Sequence, residues 1–150
     1  MPGDRRHAWL LAITALLIAA YWIAYFHTDL TKPDFVLAPA TAAARTEAAI
    51  YLGFESSFPL ADGFVALTAA IAALYLVTKD AKSVLFGLIS AGGLMFLALI
   101  DIFFNCLQGF YTVANILSDS GMQIEIVINV FCVGFAIWSA QRFWRHPLRG

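Results

Sequence analysis

The chain has 150 residues, of which 61% are hydrophobic and only 13% are charged. Soluble domains carry about 25% charged residues, so this composition excludes an ordinary water-soluble domain and favours a single membrane domain over residues 1–150. The net charge of −1 provides no basic field of the kind that binds nucleic acid. The two cysteines form neither a CxxC pair nor a zinc-binding pattern.

Four apolar stretches are each long enough to cross a hydrocarbon core of ~30 Å as a helix. The first, Ala8 to Phe26, has no charge and exceeds the apolar region of about 7–15 residues that a signal peptide contains. We therefore expect a retained helix there, and an all-α, polytopic four-transmembrane-helix bundle overall. The predicted helices cover about residues 8–27, 57–78, 83–108 and 121–144, with loops at 28–56 and 109–120.

Several local signals refine these helices. Ser57 and Pro59 predict the N-cap and an early residue of the second long helix. Residues 41–52 are compatible with a short helix on the surface. Aromatic residues near the ends of the first helix predict anchors at the membrane interface; they are Trp9, Trp22 and Tyr25.

The basic residues predict the orientation of the four helices. Seven of the nine Lys and Arg residues lie on the side of the two termini, and only Lys32 and Arg45 lie on the other side. Cytoplasmic loops are enriched in Lys and Arg. We therefore expect both termini in the cytoplasm, a multi-pass protein of the cell (inner or plasma) membrane, and the 28–56 and 109–120 loops facing outward.

The acidic residues within the predicted spans lie in one layer. Asp62, Asp101 and Glu125 are each a few residues from the outer end of a helix, which places them roughly 6–11 Å below the outer surface at 1.5 Å per residue. Asn105 and Asn129 add amides close to this layer. We expect an outward-opening polar pocket that binds a ligand through these five residues.

A simpler interpretation explains part of this pattern. Asp62 and Glu125 lie near helix N-termini, where the macrodipole favours negative charge, so both could be solvated at the membrane surface. Asp101 lies near a helix C-terminus, where the dipole disfavours a carboxylate. An ionisable residue inside a span is a candidate for function, and Asp101 is the strongest candidate in this chain.

The chemistry of the layer limits what it binds. Three carboxylates without a basic partner in the spans repel each other, so either at least one is protonated or a cation lies among them. His27 and Arg45 could supply positive charge from the outer loop. Oxygen ligands suit protons and hard cations better than zinc. We predict no metal-ligand set and no cofactor.

Three short segments resemble a known group of proteins. They are FESSFPLAD at residues 54–62, DIFFN at 101–105 and GFY at 109–111. They are similar to a family of small uncharacterised bacterial four-helix integral membrane proteins. The resemblance covers most of the chain and implies the fold and a membrane location, and it implies no activity.

Three functions are compatible with this sequence. The first is a binding or transport protein whose outward pocket takes a cation, a proton or a small amphipathic ligand. The second is a structural or accessory subunit of a membrane complex, with partner subunits in the bilayer. The third is an intramembrane enzyme that uses a carboxylate as acid or base on a lipid-like substrate. We favour the first over the second, and an enzyme is the least favoured.

Overall fold

The computed structural model describes residues 2–27, 42–118 and 120–145, and these segments are dominated by helices. The helices are α1 (Pro2–His27), α2 (Ala42–Glu55), α3 (Pro59–Val77), α4 (Lys82–Leu107), α5 (Val113–Ser118) and α6 (Ser120–Trp144).

Four of these helices, α1, α3, α4 and α6, are long and apolar enough to cross a membrane. The prediction of four long apolar helices is confirmed, and they suggest a multi-pass membrane protein. Helix α1 begins earlier than residue 8, at Pro2. The two predicted loops are not irregular throughout, because they contain α2 and α5. Residues 28–41 of the first loop lie outside the described residues.

The long helices pack in the order of the chain, α1 along α3, α3 along α4, and α4 along α6. The direction alternates, because His7 near the start of α1 contacts Ser139 near the end of α6. Near the other end of α1, Trp22 contacts Asp62 in the first turn of α3. We call the end of the bundle near His7 the terminal end, and the end near Asp62 the loop end.

Small residues allow these helices to approach closely, as is typical of helices that pack in membranes. A Cβ atom added to Gly87 of α4 would lie 2.1 Å from Cε2 of Phe143 in α6, and one added to Gly93 would lie 2.5 Å from Cγ2 of Val65 in α3. Gly93 is therefore a point of close packing between α4 and α3. Alanines complete the buried faces; they are Ala69, Ala72 and Ala73 of α3, Ala91 and Ala98 of α4, and Ala136 of α6.

The start of α3 differs from the expected capping. Pro59 is the first residue of the helix, as predicted, but its N-cap residue is Phe58 and no side chain caps it. The hydroxyl of Ser57 instead donates to the carbonyl oxygen of Phe54 at 2.6 Å. Because α2 ends only at Glu55, Ser57 still belongs to the turn that closes α2, and its hydroxyl satisfies a carbonyl of that helix.

The aromatic residues predicted as anchors of α1 do not share one environment. Trp9 is exposed, whereas Trp22 and Tyr25 are buried against the rest of the protein. Their rings pack on one another with centroids 5.1 Å apart. Trp22 and Tyr25 therefore lie on the face of α1 that packs on α3, and their role as anchors at the membrane interface stays a prediction.

Candidate functional site

A cavity of about 680 Å³ lies towards the loop end, between α1, α3, α4 and α6. Most of its lining is apolar, with Leu94 and Ala98 of α4 among the buried residues that form its inner wall. Among the described residues that line the cavity, none is basic. Four of them are acidic; they are Glu55, Asp62, Asp101 and Glu125.

Asp101 and Glu125 join α4 to α6 through a network of hydrogen bonds. The Nδ2 group of Asn129 donates to Oδ2 of Asp101 and to the Tyr111 hydroxyl at 3.0 Å. The Tyr111 hydroxyl in turn donates to Oε1 of Glu125 at 3.1 Å. The two carboxyl groups are thus held next to each other, on facing helices, by shared donors.

Asn105 supports this network from inside the protein. Its Nδ2 group donates to Oδ1 of Asp101 at 3.3 Å, to the Asp101 carbonyl at 3.0 Å, and to Oε1 of Glu125. Its side chain is fully buried, and its Oδ1 atom has no hydrogen-bond partner in the described part of the chain. Asn105 is not among the residues that line the cavity, so it positions the carboxyl groups and does not face the cavity.

The turn after α4 explains how Tyr111 reaches this network. Gly109 has a φ of +72°, the left-handed conformation that glycine adopts without steric cost. The amide of Gly109 donates to the Cys106 carbonyl at 3.3 Å, and the amide of Phe110 donates to the Asn105 carbonyl at 2.9 Å. This is the Schellman pattern that ends a helix. It reverses the chain so that Tyr111 returns over the end of α4.

Tyr111 acts in this network as a neutral donor. Burial raises the pKa of its hydroxyl above the ordinary value of 10.0, and the charges of Glu125 and Asp101 raise it further. The hydroxyl therefore keeps its proton at neutral pH, and it can donate to Glu125 while it accepts from Asn129.

A second group of contacts links α1 to the start of α3. The indole Nε1 of Trp22 donates to Oδ2 of Asp62 at 2.8 Å, and the Tyr21 hydroxyl donates to Oε2 of Glu55 at 2.9 Å. All four residues line the cavity. Asp62 thus lies on the α1–α3 side of the cavity, while Asp101 and Glu125 lie on the α4–α6 side.

The predicted site residues are therefore only partly assembled as expected. Asp62, Asp101, Glu125 and Asn129 line one cavity, and Asn105 lies behind it. His27 is exposed at the end of α1 and is not a lining residue, and the side chain of Arg45 lies outside the description. His27 therefore supplies no positive charge to the described lining, and the prediction for Arg45 stays a prediction.

Sequence reasoning missed Glu55, Trp22 and Tyr111 as members of the site. Glu55 could have been found, because it lies within about one helical turn of the start of the second span and hence close to the acidic layer. Trp22 and Tyr111 carried no such signal, since an aromatic residue near a helix end is typical of any membrane helix.

Comparisons with known protein families, with curated proteins and with solved structures found no match. The similarity of the three short segments to small bacterial four-helix proteins therefore stays a prediction. In the described residues, no group of three or more His, Cys, Asp and Glu side chains is arranged to hold a metal ion.

Proposed function

We propose that this protein binds a small amphipathic ligand with a positively charged head group in the cavity at the loop end, as a binding or transport protein. The observation that carries the proposal is the combination of largely apolar walls with four acidic side chains. The volume of about 680 Å³ falls within the range of about 300–1,000 Å³ that is usual for small-molecule sites.

The charge of the lining determines the sign of the head group. Four carboxyl groups repel each other unless they are protonated or neutralised by a cation, and no basic residue belongs to the described part of the lining. A cationic head group would provide that neutralisation. We favour an organic cation over a metal ion, because only a ligand with an apolar part buries the apolar lining of the cavity. A hydrated metal ion would leave that lining in contact with water.

The proposal includes the membrane orientation. The terminal end carries the basic residues of both termini and of the turn between α3 and α4, among them Arg5, Lys79, Lys82 and Arg142. Since Lys and Arg are enriched on the cytoplasmic side, we place that end in the cytoplasm of a cell membrane. The cavity then lies in the outer half of the bilayer, and its acidic residues lie close to the outer surface.

A structural role has specific support for one part of the site. The carboxyl groups of Asp101 and Glu125 already accept hydrogen bonds from Asn105, Asn129 and Tyr111. Such bonds across helices stabilise membrane proteins by about 0.6 kcal/mol on average and up to about 1.7. The network could therefore act mainly as a clamp between α4 and α6, as in an accessory subunit. Asp62 distinguishes the two functions, because it faces the cavity outside this network.

The test measures binding of three radiolabelled probes with the same alkyl chain to the protein in lipid nanodiscs. The probes are dodecyltrimethylammonium, dodecanol and dodecyl sulfate. We expect the cationic probe to bind most tightly, and Asp62→Asn to weaken it about tenfold, the effect of losing about 1.4 kcal/mol. Asp80→Asn, the same change in the exposed turn between α3 and α4, is the matched control and should leave binding unchanged.

Other results would contradict the proposal. Equal binding of the three probes, or equal affinity of Asp62→Asn and Asp80→Asn for the cation, would refute a cationic site. If Asp101→Asn also lowered the resistance to unfolding and no probe bound the parent protein, the clamp and the accessory role would be favoured.

A further inference from the structure

We propose that the ligand reaches the cavity sideways from the bilayer, through an opening between α1 and α6, and that it is therefore a membrane-dissolved amphiphile with a single alkyl chain. This inference rests on the binding function proposed above and specifies how its ligand gains access. Three features of the bundle carry it, namely the helix packing, the exposure of the lining, and the contacts at the two ends.

The helix packing leaves one side of the bundle incomplete. Helices α1 and α3, α3 and α4, and α4 and α6 pack along each other, whereas in the described residues α1 and α6 come close at very few backbone positions. Yet both helices contribute to the cavity, α1 from Thr14 to Trp22 and α6 from Gly121 to Cys132. The cavity therefore extends into the space between α1 and α6.

The exposure of the lining residues shows the direction of the opening. On the α4 wall, Leu94 is only 3% exposed. The opposite edges of the opening, which we call its lips, are formed by α1 and α6. There Leu17 of α1 is 61% exposed and Ile128 of α6 is 48% exposed, although both line the cavity. Ile124 and Phe131 of α6 combine the same two properties. The opening thus faces away from α4, and its lips are apolar.

The terminal end of this opening is closed by a buried cluster. His7 of α1 is hydrogen-bonded to the Ser139 hydroxyl of α6 at 3.1 Å. The rings of Trp138 and Phe143 pack on His7 with centroids 4.7 and 4.5 Å away. This cluster joins α1 to α6 at the terminal end, and we therefore place the opening between them in the half of the bundle that contains the cavity.

The loop end carries contacts from α1 to α2 and α3. There the Tyr21 hydroxyl reaches Glu55 of α2, and the Trp22 indole reaches Asp62 of α3. These bonds hold two of the acidic lining residues at this end of the cavity. An approach between the apolar lips at membrane depth leaves both bonds in place.

The dimensions fit one alkyl chain. The lining on α1, from Thr14 to Trp22, extends about 12 Å along the helix axis. The acidic residues lie near one end of this length, and the apolar residues of α1 and α6 cover the rest. An amphiphile lying in the outer leaflet could therefore slide its chain between the lips while its cationic head stays at the depth of the carboxyl groups.

The experiment changes the width of the opening and measures exchange of the ligand. The protein in nanodiscs is loaded with radiolabelled dodecyltrimethylammonium, and its release is followed after excess unlabelled probe is added. Leu17→Phe with Ile128→Phe narrows the lips, and Leu17→Ala with Ile128→Ala widens them. The matched control is Leu16→Phe with Val130→Phe, two neighbouring exposed residues that do not line the cavity.

We expect release to be about tenfold slower in the narrowed variant and faster in the widened one, with the control at the parent rate. Association should slow together with release in the narrowed variant, because ligand enters and leaves by one route. If the narrowed, widened and control proteins release the probe at the parent rate, the lateral opening is refuted while the binding function stands. If the parent protein binds no cationic probe, the proposed function itself has failed.

Discussion

Gly87 and Gly92 lie on the same helix, and we predict that alanine substitution has opposite effects at the two positions. At Gly87 the added Cβ atom would lie 2.1, 2.2 and 2.7 Å from three ring carbons of Phe143, and at Gly92 it would meet no atom within 4 Å. Carbon atoms pack best about 3.5–4.0 Å apart. The Phe143 ring would therefore have to move by more than about 1 Å.

The surroundings of Phe143 oppose that movement. The ring is buried and packs on His7, whose own ring is hydrogen-bonded to Ser139. Overpacking of this kind costs about 1–3 kcal/mol. Replacing glycine by alanine within a helix contributes about 0.8–1.0 kcal/mol of stability, and this gain applies to both variants. Gly92→Ala should therefore be more stable than Gly87→Ala by about 1–3 kcal/mol.

The assay is unfolding by dodecyl sulfate in mixed micelles, followed by circular dichroism. Because the helix-propensity contribution cancels between the two variants, their difference measures the clash with Phe143. Phe143→Leu should reduce that difference, which a double-mutant cycle can measure. Equal unfolding midpoints for Gly87→Ala and Gly92→Ala would refute this packing of α4 on α6.

Two further predictions concern hydrogen bonds at the two ends of the bundle. Ser139→Ala removes the described hydroxyl partner of the buried His7 Nε2 atom and should lower the free energy of unfolding by about 1–3 kcal/mol. The control Ser118→Ala, at an exposed serine, should change the free energy of unfolding little. Equal effects of the two substitutions would contradict the prediction. The pKa of the Tyr111 hydroxyl is raised in the folded protein, so folding opposes its ionisation. The contribution of the neutral hydroxyl to the free energy of unfolding is therefore fully present below the ordinary tyrosine pKa of about 10. It falls as the pH rises above that value. Tyr111→Phe should reduce that alkaline loss in unfolding experiments at a series of pH values, and an identical pH dependence of both proteins would argue against this role.

The four long helices of the architecture could be predicted from the order of the residues along the chain. Whether a segment is long and apolar enough to cross a membrane depends only on that segment, so four long helices followed directly from composition along the chain. The position of each residue along its helix axis could also be calculated, because each helical residue advances by 1.5 Å. That is why Asp62, Asp101 and Glu125 were expected in one layer, and all three line one cavity.

The details that depend on helix rotation could not be predicted in this way. Asn105 follows Asp101 by one helical turn, yet it points behind the cavity and supports the carboxyl groups from within. Trp22 was predicted only as an anchor near the end of α1, and the structure turns it towards α3, where it donates to Asp62. Each helix has apolar residues on most of its faces, so the pattern of hydrophobicity does not show which face packs on a neighbour.

The sequence by itself determined the four long helices and the positions of the acidic residues along them, because hydrophobicity and helical rise are properties of each segment alone. Only the tertiary structure decided which side chains meet, as in the contact between His7 and Ser139, residues at opposite ends of the chain. It also decided that α1 and α6 meet at the terminal end, where Trp138 and Phe143 pack on His7. The physical reason is that close contact between helices depends on small residues and on single hydrogen bonds, and these act only after the helices have come together.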